Sequence, residues 1–185
     1  MFPDNTVLTN FALLNRMDLL SRLTNGNGRW CATVASECAA SARLPEIGAL
    51  DDADEIFGEP LYPDEAEHQD LRILRDQLAG PGDPPAKHLG EAETIAIVVR
   101  RELKCFFVTD DREAARLASR NGVQITGTWG LLRVAHRVGW RDADTLWGYV
   151  LTLESAVAER RPECGTADLS MSGSPPNRVR ACGCR

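Results

Sequence analysis

The sequence predicts an α/β fold: a central parallel sheet with helices on both faces, hence three layers, α/β/α. Three observations carry this. Short apolar runs alternate with stretches of helical spacing along most of the chain, the pattern of strands joined by crossover helices. The run Cys105-Phe106-Phe107-Val108-Thr109 passes straight into Asp110-Asp111 and then a helix-like stretch, and ligands of open parallel sheets collect where strands end and helices begin. At 185 residues the chain is long enough to bury one core without staples.

Taken in order, Met1, Phe2 and Pro3 are all that remains for a first strand before Asp4. Leu8, Phe11, Ala12, Leu14 and Leu19 recur at helical spacing, which predicts one helix over Thr6 to Leu20, closed by the turn-rich Thr24-Asn25-Gly26-Asn27-Gly28. Trp30-Cys31-Ala32 reads as a short strand, with Thr33 capping a helix from Val34 to about Arg43 that stops before Pro45. Residues 46–63 are acidic and read as irregular, and Asp64 to Leu78 as an exposed helix. Residues 79–85 are a loop by their Gly and Pro content. A helix from Gly90-Glu91 carries an apolar stripe at Ala92, Ile95, Ala96, Val99 and Leu103. Strand 105–109, helix 111–120, a turn at Asn121-Gly122, strand 123–126 and a helix from Thr128 to about Val138 follow. A last helix spans Asp142 to about Arg160. The folded domain is therefore placed at residues 1–160, with 161–185 a disordered tail rich in Pro, Gly, Ser and Arg.

No apolar run reaches membrane-spanning length and no signal-peptide pattern opens the chain. These features predict a cytoplasmic protein without a membrane partner. Cys31, Cys38 and Cys105 then read as small core residues. Cys164, Cys182 and Cys184 lack the paired spacings of a zinc site. The net charge of −6 is unevenly spread. Glu46 to Asp83 holds twelve acids and two bases, a local −10 that leaves the remainder at +4. That remainder offers Arg16, Arg22, Arg29, Arg112, Arg116, Arg133, Arg137 and Arg141 to phosphates.

Carboxylates gather at the predicted edge. Asp4 ends the first strand, Glu37 lies in the helix after the second, Glu93 opens the 91–103 helix, and Asp110-Asp111 stand at the next junction. Acids brought together repel one another and rise in pKa unless a cation neutralises them. With no His or Cys in the set, oxygen ligation favours Mg²⁺ or Mn²⁺. Glu91 and Glu93 lie about 200° apart on a helix, so they cannot share one pocket. Glu93 is the preferred ligand and Glu91 the reserve. Of the acidic pair, Asp111 is read as the ligand and Asp110 as a helix cap or outer acid. His68, His88 and His136 are read as having no catalytic role, and Trp30 and Trp129 as core aromatics.

These residues resemble the PIN domain family. The resemblance rests on Asp4-Asn5-Thr6, Glu37, Gly90-Glu91-Ala92-Glu93, Val108-Thr109-Asp110-Asp111-Arg112 and Gly127-Thr128-Trp129-Gly130, and it covers roughly Met1 to Leu153. It implies an Mg²⁺- or Mn²⁺-dependent ribonuclease that hydrolyses RNA by metal-activated water and leaves 5′-phosphate and 3′-hydroxyl ends. By the same resemblance Asp4, Glu37, Glu93 and Asp111 are the catalytic acids, and all four with Asp110 the metal ligands. Thr6 or Asn5 matches the small polar residue that supports the first acid; Glu91 stays in a supporting place as the reserve, and Arg112, beside the acid pair, is the candidate substrate phosphate contact. The toxin branch of the family implies a protein antitoxin as partner, with a homodimer as a further expectation. Two other readings stand beside it. One is a non-cutting module that binds RNA or protein. The other is a phosphohydrolase of the haloacid dehalogenase type, which needs an Asp two residues after the first where Thr6 stands.

Overall fold

In the computed structural model, which describes residues 1–159, three short parallel strands form the sheet, in the order β1-β2-β3. They are β1 (Phe2–Pro3), β2 (Phe106–Val108) and β3 (Gln124–Thr126). Pro3 has no N–H to donate, and β1 is an edge strand, where that loss is tolerated. Phe2 pairs with Phe107 and Pro3 with Val108, while Phe107 and Val108 pair onward with Ile125 and Thr126. The ladder runs one step beyond the strands, through Asp4 N–H to Val108 O at 2.9 Å and Thr109 N–H to Thr126 O at 3.0 Å.

Nine helices surround the sheet among the described residues: α1 (Asn5–Leu13), α2 (Met17–Thr24), α3 (Ala32–Ser41), α4 (Ala53–Phe57), α5 (Glu65–Leu78), α6 (Leu89–Arg100), α7 (Arg112–Arg120), α8 (Thr128–Arg137) and α9 (Ala143–Glu159). Alternate strand residues point to opposite faces, and the core divides accordingly. Phe2 and Phe107 pack with Leu71, Ile95, Ala114 and Leu117 from α5, α6 and α7. Val108 packs on the other face with Leu8, Phe11, Trp30, Val34 and Leu132. The α6 helix serves both, sending Ile97 to the second cluster and Ile95, Ala96 and Val98 to the first. The three predicted layers are present.

Several boundaries differ from the sequence reading. The Thr6–Leu20 helix is two helices, because Asn15 turns left-handed at φ 51°, a conformation Asn accepts more readily than most residues. Trp30-Cys31-Ala32 makes only a parallel bridge from Cys31 to Leu61 and no strand. The α3 helix starts at Ala32 after Cys31, so Thr33 lies inside it and does not cap it. The acidic stretch is not irregular throughout: 3₁₀ turns occupy Pro45–Asp52, kinked at Ile47, and α4 follows. The α5 helix matches its expectation and begins with a reciprocal cap between Asp64 and Glu67. Buried Glu67 also receives Arg101 at 2.6 Å, joining α5 to the end of α6. The predicted tail and its three cysteines lie outside the described residues.

Candidate active site

Parallel register builds the first half of the site. Because Pro3 pairs with Val108, the next residues, Asp4 and Thr109, stand side by side. The Thr109 hydroxyl donates to Asp4 Oδ2 at 2.5 Å, and Val7 N–H donates to Oδ1 at 2.8 Å. Asp4 thus caps α1 and is 3 % exposed. Thr109 Oγ1 also accepts Asp111 N–H at 3.1 Å, and Asp111 Oδ1 caps α7 through Ala114 N–H at 2.7 Å. One hydroxyl therefore ties the two acidic strand ends together.

Helices α3 and α6 build the second half. The Cys31 thiol lies 3.4 Å from Thr94 Oγ1 and 3.6 Å from Gly90 O, which brings the two helix starts together. Gly90 makes this approach feasible, since a Cβ there would stand 3.0 Å from Val34 Cγ2 and 3.1 Å from Glu37 Oε2. Glu37, Glu91, Asp4 and Asp111 consequently line one pocket of about 320 Å³. Glu93 does not line it. Its buried carboxylate accepts Thr33 N–H at 3.3 Å and the Thr33 hydroxyl, at the start of α3. The expected preference for Glu93 over Glu91 is reversed by placement: the positive end of α3 takes Glu93, and the opposite side of α6 presents Glu91.

The acids act on one another. Burial foremost, then the charges of Glu91 and Asp110, raise Asp4 to about 7 against the pull of its hydrogen bonds to Thr109 and Val7. Burial foremost, then Glu91, Asp4 and Glu93, raise Glu37 to about 7. Burial pushes the Cys31 thiol up to about 12, which keeps it a neutral packing group.

Other placements depart from expectation. Asp110 turns away from the pocket and caps α8, accepting Thr128 N–H at 2.8 Å, the Thr128 hydroxyl at 2.5 Å and Asn10 Nδ2 at 3.0 Å. So Asp111, not Asp110, caps α7. A Cβ on Gly127 would come within 2.5 Å of Asp110 Oδ1, and one on Gly130 would overlap Thr126 Oγ1. Those close approaches account for the Gly-Thr-x-Gly turn. Asn5 and Thr6 do line the pocket, but Asn5 Nδ2 donates to Ser41 at 3.3 Å and the hydroxyl on Asp4 comes from Thr109. The sequence reading misses Thr109; its position opposite Asp4 in a parallel register is the available signal. Arg112 is exposed directly after Asp111. Trp30 is core at 2 % exposure, whereas Trp129 is 45 % exposed on the first turn of α8 and is not core. His88 is a further pocket residue that the sequence reading leaves aside. It enters α6 left-handed at φ 66° and lines the pocket, with Nδ1 3.6 Å from Glu91.

A family model described as a PIN domain matches residues 3–143. The chain belongs to the PIN domain family. The match spans every pocket acid, and it carries a nuclease-like fold for this PIN domain, in a family that generally uses divalent metals. No curated protein and no solved structure matches the chain. No group of three or more His, Cys, Asp or Glu side chains among the described residues is arranged to hold a metal ion directly. The donor chemistry nonetheless suits Mg²⁺ or Mn²⁺: all four pocket acids offer oxygen, and burial with neighbouring carboxylates disfavours the charged form of two of them, a cost that a cation would offset. A hard cation that keeps several waters needs only one or two of them directly. No helix among the described residues is long and apolar enough to cross a membrane.

Proposed function

We propose that this PIN domain is an Mg²⁺- or Mn²⁺-dependent ribonuclease, the toxin of a toxin–antitoxin pair, that hydrolyses RNA phosphodiester bonds. Asp4, Glu37, Glu91 and Asp111 hold the cation in this reading. The observation that carries it is the delivery of four carboxylates, from two strand ends and two helices, into one pocket. When bound, the cation would offset their charge, engage the scissile phosphate and acidify an attacking water. The chain's own work is positional. Thr109 orients Asp4 against Asp111, Glu93 holds the start of α3 and so sets the reach of Glu37, and Gly90 leaves room for the Glu37 carboxylate. Arg112 offers a charged contact to phosphate. Exposed Trp129 offers a face to an unstacked base of single-stranded RNA. A protein antitoxin is the proposed partner.

Purified protein incubated with single-stranded RNA and Mn²⁺ should cut it, and EDTA should stop the reaction. Asp4→Asn and Asp111→Asn should each lower the rate by at least about a hundredfold, the upper range for losing even an indirect metal partner. Variants that cut like wild type would defeat the assignment. Intact RNA with retained Mn²⁺ binding would instead support a module that binds without cutting.

A further inference from the structure

A second pocket opens beside the acidic one, across the first turn of α1. It measures about 590 Å³ and shares Asn5 and Thr6 with its neighbour as a common wall. Its character differs. Leu13, Leu44 and Ile47 make it apolar, Thr9 and Ser41 add hydroxyls, and among the described residues Glu46 is the only charged side chain lining it. Leu44 is 55 % exposed at this position, an apolar surface with room for a partner. With no basic side chain in its described lining, the pocket is ill suited to phosphate. Apolar walls with a few polar groups suit a heteroaromatic ring. At the shared wall the Asn5 amide donates to Ser41, while its buried Oδ1 has no partner among the described residues.

We infer that this pocket is a base subsite, taking the nucleobase adjacent to the phosphate held at the acids, and that it selects guanine. The chemistry is in the acceptors. Guanine carries N1–H and N2–H donors side by side, a bidentate match for the Glu46 carboxylate, and hydrogen bonds to a charged acceptor are the strong ones. Adenine and cytosine place a ring acceptor next to their amine, and that acceptor would face the carboxylate unfavourably. Uracil has a single donor between two carbonyls. Single-stranded RNA is read in this way, by base edges and by packing of the unstacked ring. The inference rests on the ribonuclease reading only for what occupies the neighbouring pocket.

Nucleosides test it without any metal or cleavage step, and without a phosphate that the acids would repel. The full chain in EDTA, titrated with guanosine, adenosine, cytidine and uridine and followed by ligand-observed NMR, should bind guanosine tightest. Glu46→Gln should weaken guanosine about tenfold, within the range of a bidentate base contact, and erase the preference. Leu44→Ala should weaken all four. No binding, equal binding of the four, or unchanged guanosine affinity in Glu46→Gln would overturn the subsite. Mapping of cut sites with Mn²⁺ separates the two ideas. RNA cut with no preference at guanine, together with no guanosine binding, removes the subsite and leaves the ribonuclease. Selective guanosine binding with no RNA cut leaves the subsite and removes the ribonuclease.

Discussion

Asp4 answers to two opposed demands. Its two oxygens accept Val7 N–H and the Thr109 hydroxyl, which fixes its rotamer, while burial and nearby carboxylates raise it to about 7. The same Thr109 oxygen accepts Asp111 N–H, so one hydroxyl sets the spacing of two pocket acids. Thr109→Val keeps the shape of this buried side chain and removes the hydroxyl. It should cost about 1–3 kcal/mol in urea unfolding, the range for stranding a buried polar partner. It should also weaken Mn²⁺ binding by about tenfold or more, measured by calorimetry, as loss of a ligand's orienting partner does. An unchanged Mn²⁺ affinity would show that Asp4 needs no such orientation. Asp4 and Asp111 also cap helices, α1 and α7, while lining the pocket; Glu93 and Asp110 hold the starts of α3 and α8 without lining it.

At the scale of elements, the strand-to-helix turns hold the site and the glycines permit them. Gly127→Ala would drive a Cβ into Asp110 Oδ1, loosening the cap of α8. We expect it to cost about 1–3 kcal/mol, as overpacking commonly does, with a lowered midpoint in urea. No loss of stability would mean that Asp110 moves aside freely. The same elements explain what the sequence disclosed. The apolar run ending in Thr109-Asp110-Asp111 announced both a strand and a site, because period and chemistry change at one point. The α5 helix was legible as an exposed helix from Asp64 to Leu78, and its reciprocal cap between Asp64 and Glu67 is a local feature that the structure adds. The choice between Glu91 and Glu93 was not, since α6 is buried on nearly all sides from Ala92 to Val98 and its apolar period says little about which acid faces the pocket. Thr33, sixty residues away, decided it through a tertiary contact. Trp129 is hidden for a related reason: aromatics are usually buried, and only the seating of α8 on Asp110 shows that this one is not. The Asn15 break is equally hidden, because apolar spacing continues across it.

For the molecule as a whole, the sheet divides the core in two and leaves its carboxyl edge to the acids. Their charge makes stability depend on pH. Asp4 and Glu37 start from ordinary values of 3.8 and 4.5 and rise to about 7 on folding. Between those limits the folded chain binds more protons than the unfolded one. Their contribution is therefore full below about pH 4 and is lost as pH rises through about 7. Glu67, Asp70, Asp83 and Asp142 are lowered instead and titrate below this window, while the single Met1 amine, lowered from 8.0 chiefly by burial, opposes the two acids within it. Thermal unfolding of metal-free protein should give a higher Tm near about pH 5.5 than near about pH 8, and Mn²⁺ should recover the difference at the higher pH by binding the folded state. A Tm that climbs steadily over this interval without metal would mean the pocket acids are not raised. Whether Glu91 or Glu93 completes the proposed metal site is decided by the RNA cleavage rate with Mn²⁺ of Glu91→Gln against Glu93→Gln, each paired with its Tm. Glu91→Gln is expected to lose cleavage while keeping at least the wild-type Tm, since it removes a charge that repels Asp4 and Glu37, whereas Glu93→Gln loses stability and keeps the higher residual rate. Wild-type cleavage by Glu91→Gln would contradict this expectation.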